Sequence, residues 1–252
     1  VNGRGGIEML DADTGRTKWK LDPAAKLREH LAQKVVPQGD RNADALRALV
    51  QGGAVIRARM RQQQDGNAPL IDMAAPVLAY AARDGRMIVA DSETGVVRWS
   101  AAAEIAQATH LTVTPGHVVI AGTDEHNAPL LCVYDVHTGQ LQQRIPEPQR
   151  NHVQWIGATP EGLLIYVTTT QVVAYDLATG QPRWIRKPGV QLQGPEAWMA
   201  GGQLFVRSRG GDLLMVDLGD DQTVRAVITG EAGPPLGVYE ADGRFVIVTA
   251  RS

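Results

Sequence analysis

Residues 91–99 read Asp91-Ser92-Glu93-Thr94-Gly95-Val96-Val97-Arg98-Trp99, and they decide the fold because the same pattern occurs five times in the chain. The pattern is an aspartate with a threonine three residues after it, a glycine four residues after it and a tryptophan eight residues after it. The five copies begin at Asp11, Asp91, Asp135, Asp176 and Asp217. Repetition of one motif in this way indicates a fold built from equivalent structural units.

Three of the copies are complete and two are degenerate. In the third copy Gln143 replaces the tryptophan, and the fifth copy keeps only Asp217, with Asp220-Asp221 in the threonine and glycine positions and Arg225 in the last. The residues that define the repeat are Asp11, Thr14, Gly15, Trp19, Asp91, Thr94, Gly95, Trp99, Asp135, Thr138, Gly139, Asp176, Thr179, Gly180, Trp184 and Asp217. We expect irregular packing between blades at the two degenerate repeats.

The chemistry of the motif is that of a tight turn between two strands. Each copy follows an apolar run, such as the one at residues 172–175, and precedes a short segment that can return antiparallel. The aspartate carboxylate can cap the turn, the threonine hydroxyl can bond locally, and the glycine supplies a positive φ. Because the aspartates hold one fixed place in every repeat, we interpret them as turn residues and not as a catalytic set.

A second predicted hairpin precedes each motif. Examples are the runs at 111–113 and 118–120, at 153–156 and 163–167, at 198–199 and 204–206, and at 238–239 and 245–248. Two hairpins make a four-stranded antiparallel unit, and the last three motif aspartates are 41 residues apart. This period predicts an all-β protein, a β-propeller of four-stranded blades with five recognisable repeats.

The motif resembles the tryptophan-docking repeat of PQQ-like β-propellers, the quinoprotein alcohol dehydrogenase-like family. That family includes quinoprotein dehydrogenases and the non-enzymatic BamB-type assembly factors. The resemblance covers the chain except roughly residues 23–66. It implies that Trp19, Trp99 and Trp184 pack against neighbouring blades, that none of them is a ligand, and that the protein is periplasmic or otherwise located in the cell envelope.

The two ends of the chain carry complementary parts of one blade. Residues 244–252 stop after a second strand, and residues 5–11 begin at a third strand. We therefore expect one propeller domain over residues 1–252, with 7–10 paired to 245–248 so that no open sheet edge remains. The alternative is that the chain is a piece of a longer propeller with seven or eight blades.

The repeat is interrupted by an insertion at about residues 23–64, and the blade pattern resumes after residue 66. Asp22-Pro23 is a suitable helix start, and Leu27, Leu31 and Val35 recur with helical spacing. The segment predicts a helical hairpin, with a degenerate sixth blade containing an edge strand at 55–60 as the alternative. It has eight basic and three acidic residues, so it carries a net charge of +5 while the rest of the chain carries −7.

Little in the sequence predicts catalysis. The single cysteine, Cys132, lies in an apolar run, so we interpret it as a buried thiol; it also cannot supply the vicinal cysteine pair of quinoprotein alcohol dehydrogenases. The six histidines show no metal-binding spacing, and the polar loop at 124–127 is a solvated loop or, as the alternative, a cation site. We expect no cofactor and no metal, and no apolar run is long enough to span a membrane.

The function predicted from these features is a non-catalytic scaffold that binds another protein. The partner surface is either the insertion, with its basic charge and apolar stripe, or the face of the propeller that carries the loops. The basic residues have no interleaved aromatic residues that could stack on bases, so we expect no nucleic acid partner. A quinoprotein-type oxidoreductase, or a degenerate relative of one, is the alternative.

Overall fold

The computed structural model describes residues 7–10, 17–21, 70–74, 76–146, 152–159, 161–219, 224–228, 235–241 and 244–249. Every regular element among these residues is a β-strand, and the strands form antiparallel sheets. The predicted fold class, an all-β protein of propeller type with four-stranded blades, is therefore confirmed. The insertion at about residues 23–64, with its helical and edge-strand alternatives, lies outside the described residues. The chain divides into two compact units, Val1–Pro146 and Glu147–Ser252.

The first unit contains one hairpin and two four-stranded sheets in its described part. The hairpin is formed by β1 (Ile7–Leu10) and β2 (Thr17–Leu21). The first sheet is formed by β3 (Leu70–Ala74), β4 (Val77–Ala81), β5 (Arg86–Asp91) and β6 (Val97–Ala102). The second is formed by β7 (Gln107–Val113), β8 (His117–Thr123), β9 (Pro129–Asp135) and β10 (Leu141–Pro146). Neighbours in sequence are neighbours in each sheet.

Among its described residues, the second unit contains two further four-stranded sheets and one hairpin. One sheet is formed by β11 (Val153–Ala158), β12 (Leu163–Thr168), β13 (Val172–Asp176) and β14 (Gln181–Arg186). The other is formed by β15 (Leu192–Ala200), β16 (Gln203–Ser208), β17 (Leu213–Asp217) and β18 (Val224–Ile228). The hairpin is formed by β19 (Pro235–Ala241) and β20 (Arg244–Thr249).

The middle strands of the sheets are mostly apolar because much of their length is covered on both faces. Every residue of β4 is buried, and four consecutive residues of β13 are buried as well. In the first unit β3–β6 and β7–β10 share one apolar core, and in the second unit β11–β14 and β15–β18 share another. Burial of each large aliphatic side chain stabilises such a core by about 1.5–3 kcal/mol.

The two hairpins correspond to halves of a blade. In β1–β2 Met9 pairs with Trp19, just as Val89 pairs with Trp99 and Ala174 with Trp184, and each of these three hairpins has a bulge directly after that pair. Thus β1–β2 corresponds to the third and fourth strands of a blade. The hairpin β19–β20 follows β15–β18 as a first and second strand would. The pairing of 7–10 with 245–248 and the count of five blades stay predictions.

Candidate functional site

The motif aspartates are held by hydrogen bonds within their own turns. Oδ1 of Asp91 accepts hydrogen bonds from the backbone N–H of Glu93 at 3.0 Å and of Thr94 at 2.9 Å. The hydroxyl of Thr94 donates to the same oxygen at 3.0 Å. Gly95 then takes a φ of +72°, which suits glycine, and its N–H donates to the carbonyl of Asp91 at 2.8 Å.

The same arrangement recurs in the next sheet and becomes simpler in the second unit. Asp135 accepts from the N–H of His137 and from the N–H and hydroxyl of Thr138. Asp176 accepts from the N–H of residues 178 and 179, and Asp217 from the N–H of residue 219. Gly139 and Gly180 both have a φ of +70°. Asp11, Thr14 and Gly15 lie outside the described residues.

At Asp91 and Asp135 these hydrogen bonds stabilise the charged form of the carboxylate. At Asp91 the guanidinium of Arg98 donates to Oδ2 at 2.8 Å, and this bond together with those from the Thr94 turn lowers the pKa to about 2. At Asp135 the backbone and hydroxyl of Thr138 are the main cause of a lowered pKa. Carboxylates of this kind are ionised acceptors whose oxygens are already engaged, and they do not suit proton transfer.

Two tryptophans of the motif dock onto the motif turn of the following sheet. Nε1 of Trp19 donates to the carbonyl of Ser92 at 2.7 Å, and Nε1 of Trp99 donates to the carbonyl of Val136 at 2.8 Å. Both side chains are buried. Each ring lies over the motif glycine of that turn, since a Cβ on Gly95 would lie 3.0 Å from Cδ2 of Trp19 and one on Gly139 2.7 Å from Cδ2 of Trp99.

The third tryptophan, Trp184, departs from this arrangement. Its side chain is only partly buried, and its Nε1 atom is shielded from solvent without a hydrogen-bond partner among the described residues. Trp184 packs against the core shared by β11–β14 and β15–β18, as expected, but among the described residues it lacks the hydrogen bond by which Trp19 and Trp99 dock. The turn that follows it in the next sheet is the degenerate one, which has no glycine in the motif position.

Arg186, two residues after Trp184, makes the contact with the next sheet. Its guanidinium carbon lies 4.0 Å from the centroid of the Trp184 ring, and its Nη2 donates to the carbonyl of Gly219 at 2.7 Å. The side chain is 6% exposed, which is unusual for an arginine. Sequence reasoning missed this residue. The available signal was its position in the repeat, because the equivalent residues of the earlier repeats are the apolar Leu21, Ala101 and Ile145.

Cys132 is buried as predicted. Burial is the main reason why the pKa of its thiol is raised to about 11, and burial likewise raises the pKa of the neighbouring Tyr134. A thiol with this pKa carries almost no thiolate at neutral pH, so it is not a nucleophile.

The polar loop at 124–127 folds onto its own aspartate. Oδ1 of Asp124 accepts from the N–H of His126 at 2.9 Å and of Ala128 at 2.8 Å, and Asn127 takes a φ of +60°. Within the described part of the chain, no group of three or more His, Cys, Asp or Glu side chains is arranged as a metal site. The structure therefore gives one observation on the choice between a solvated loop and a cation site. The Asp124 carboxylate accepts hydrogen bonds from the backbone of its own loop.

An exposed loop in the second unit is held at its distal end. We name residues 187–191, between β14 and β15, the 187–191 loop. The N–H of Arg209 donates to the carbonyl of Gln191 at 2.8 Å, and Nη1 of Arg209 donates to Oε1 of the same residue at 3.0 Å. The N–H of Leu192 donates to the carbonyl of Thr169 at 2.8 Å. Val190 is 45% exposed on this loop.

Comparison with known proteins agrees with the fold. The family model described as "Outer membrane protein assembly factor BamB" matches residues 3–227. The structure is thus of the PQQ-like propeller class. The chain belongs to the BamB family of that class. No curated protein sequence matches the chain.

Solved structures of several proteins are similar to this chain. The dihydro-heme d1 dehydrogenase NirN, in complex with DHE, aligns with a TM-score of 0.62 and 16% identity, over 97% of this chain and 46% of NirN. Raptor of Chaetomium thermophilum aligns with a TM-score of 0.54 and 12% identity, over 72% and 18% of the two chains. BamB of Moraxella catarrhalis aligns with a TM-score of 0.46 and 16% identity, over 63% and 48%. The chain therefore spans less than half of each of these proteins, and at these identities the likeness to NirN and Raptor shows the fold alone.

The part of the chain that the structure describes includes no helix long and apolar enough to cross a membrane.

Proposed function

We propose that the chain is a non-catalytic scaffold that binds another protein through the end of the second unit that carries the 187–191 loop. The observation that supports this most directly is the exposure of Val190 on a loop whose distal end is fixed by Arg209. A loop that is already ordered loses little conformational entropy when it binds, so more of the contact energy appears as affinity.

The chemistry of this surface suits a partner with an apolar residue among acidic ones. Lys187, Val190 and Arg209 are all exposed, and Ile185 at the preceding strand is 51% exposed. Arginine is enriched in binding hot spots. The acidic residues of the partner would be attracted by the two cations, and Val190 would supply the apolar contact.

The non-catalytic part of the proposal is supported by the engagement of the groups that would otherwise be candidates. The motif carboxylates accept hydrogen bonds from their own turns, and Cys132 is buried with a raised pKa. The family description names a factor in the assembly of outer membrane proteins, and we extend the scaffold role from that description to this chain. The rival class is a quinoprotein-type oxidoreductase.

The test is partner capture by immobilised full chain, compared between matched variants. Val190→Asp and Arg209→Ala are expected to remove a captured protein that the wild type retains. Val96→Asp is the control, because Val96 is 64% exposed in the first unit and has the same chemistry as Val190. Capture that is unchanged in Val190→Asp, or lost equally in Val96→Asp, would contradict the proposed surface.

Two further arms test the alternatives. Replacement of residues 23–64 by a short glycine-serine linker is expected to leave capture intact if the 187–191 loop is the docking element. Capture lost on that replacement would assign the partner to the insertion instead. Dye-linked oxidation of alcohols or sugars on addition of quinone and calcium is expected to be absent, and turnover in that assay would overturn the non-catalytic reading.

A further inference from the structure

We propose that Arg186 replaces the docking tryptophan as the clamp between β11–β14 and β15–β18, and that this clamp fixes the proximal end of the 187–191 loop. The role of the 187–191 loop as a docking element rests on the proposed function. The clamp itself rests on contacts within the second unit alone.

The first step is the comparison of acceptors. Trp19 and Trp99 donate to the carbonyl of the residue directly after the motif aspartate, whereas Arg186 donates to the carbonyl two residues after Asp217. The start of the receiving turn is otherwise the same in all three sheets. The N–H groups of Ser92, Val136 and Leu218 donate to carbonyls of the first hairpin turn of the same sheet, at 2.8, 3.0 and 3.1 Å.

The second step concerns the receiving surface. Trp19 and Trp99 lie over a motif glycine, and at Gly139 a methyl group would already collide with the ring. The sequence places Asp221 where that glycine stands in the other turns, and Asp220 where the threonine stands. A guanidinium is planar and cationic, so it can stack on Trp184 and donate at the same time to the next sheet.

The third step concerns the position of Arg186 in the chain. It is the last residue of β14, and the 187–191 loop begins directly after it. The distal end of that loop is fixed by the hydrogen bonds of Leu192 and Arg209. The loop is therefore held at both ends, and the proximal hold is the Arg186 side chain bonded to Gly219. Arg186 is thus a positioning residue for the loop.

Amide hydrogen exchange of the full chain tests this. The N–H groups of Leu192 and Arg209, which hold the distal end of the loop, serve as the loop amides, and those of Ile165 and Val173 as the core amides. Arg186→Met keeps the length of the side chain and removes the donor. We expect it to raise exchange at the two loop amides by about tenfold or more, because a hydrogen bond to a charged donor is lost, and to change the core amides much less. Arg183→Met, an exposed arginine of the same strand, is the control and is expected to change neither.

Trp184→Phe separates the clamp from ordinary tryptophan docking. It keeps an aromatic face for Arg186 and removes an N–H that has no partner among the described residues, so exchange at the loop amides is expected to stay within about twofold of the wild type. If Arg186→Met does not fold, Arg186→Lys provides the measurement, because lysine keeps the charge and loses the planar stack. Equal acceleration of loop and core amides, loop amides that match the Arg183→Met control, or a Trp184→Phe effect as large as that of the arginine variants would each overturn the proposal. None of these readouts involves a partner, so failure of partner capture leaves the clamp standing.

Discussion

Trp99 and Trp184 occupy the same motif position and the same strand register, yet they make different contacts. Trp99 is buried, donates to the carbonyl of Val136 and lies over Gly139. Trp184 is partly buried, and Arg186 stacks on it and donates to Gly219 in its place. The difference follows the receiving turn, which keeps Asp135, Thr138 and Gly139 in the first case and only Asp217 in the second.

The comparison separates two uses of one residue. In the first unit the tryptophan is an anchor in the core between sheets, with its single donor satisfied. In the second unit the tryptophan is a platform for a neighbouring cation. A residue of the repeat can thus be retained in sequence while its contact partner changes. The contact depends on the sheet that carries the tryptophan and on the receiving turn of the next sheet.

The largest expected effect in the comparison of Trp99 with Trp184 comes from removing the Trp99 side chain. Trp99→Ala should reduce the free energy of unfolding by about 3–5 kcal/mol, because it leaves a cavity and an unpaired carbonyl at Val136. Trp184→Ala should cost about 1–2 kcal/mol, since the ring is partly exposed already and its N–H has no partner among the described residues. Urea unfolding of the two variants measures both values. Equal losses would show that the two rings are anchors of the same kind.

A second substitution tests the receiving side. Gly139→Ala places a Cβ against the Trp99 ring at a φ of +70°, so it combines backbone strain with overpacking and should cost about 2–4 kcal/mol. Gly202→Ala is the matched control, because Gly202 has the same φ of +70° and no heavy atom within 4 Å of the added Cβ. Its cost should be about 1–2 kcal/mol, from backbone strain alone.

The difference between those two variants isolates the contact with Trp99. It should disappear in the Trp99→Ala background, because the ring that collides with the new methyl group is then absent. A difference that persists in the double variant would place the cause in the turn itself.

The motif turns and the strands could be predicted from the sequence because their causes are local. The hydrogen bonds that hold Asp91 come from residues at most three positions away, and Arg98 is seven positions away. The apolar runs predicted the strands for the same reason, since alternation of turn residues and buried strands is visible along the chain. The burial of Cys132 followed from its apolar neighbours.

The Arg186 clamp and the 187–191 loop could not be predicted, because their contacts join separate parts of the chain. Arg186 reaches a carbonyl 33 residues away, and Arg209 reaches Gln191 over 18 residues. The sequence indicated only that the fifth motif was degenerate, and nothing in it named the compensating residue. An arginine at a position that is apolar in the other repeats is the signal that would have pointed to it.

A third prediction concerns the arginine that pairs with Asp91. Arg98→Gln makes the Asp91 turn resemble that of Asp135, where the side chain of Gln142 donates to Oδ2 at 3.2 Å. The pKa of Asp91, about 2 in the folded chain, should rise, because the bond from Arg98 is the main cause of its shift. It should stay below its ordinary value, because the bonds from Thr94 remain.

Carboxyl NMR titration of the wild type and the variant measures this shift. Since the folded pKa is below the unfolded one, Asp91 contributes stability that is present above the unfolded pKa and is lost as pH falls through the folded pKa. In Arg98→Gln that loss should therefore occur over a narrower range of pH. A titration of Asp91 that is unchanged in the variant would mean that the turn alone sets its pKa.

The smallest expected effect compares the threonines of the turns. The hydroxyl of Thr94 donates to Asp91 at 3.0 Å and accepts from the N–H of Val96 at 3.3 Å, whereas the hydrogen bonds described for Asp176 come from the backbone of residues 178 and 179. Thr94→Val should therefore cost about 0.5–1 kcal/mol, because the two exposed hydrogen bonds of that hydroxyl are lost, and Thr179→Val less than about 0.5 kcal/mol. Thermal unfolding at matched concentration resolves this difference only if both variants are measured against the same wild-type sample. A larger loss for Thr179→Val than for Thr94→Val would contradict this prediction, because it would show that the Asp176 turn depends on its threonine more than the Asp91 turn does.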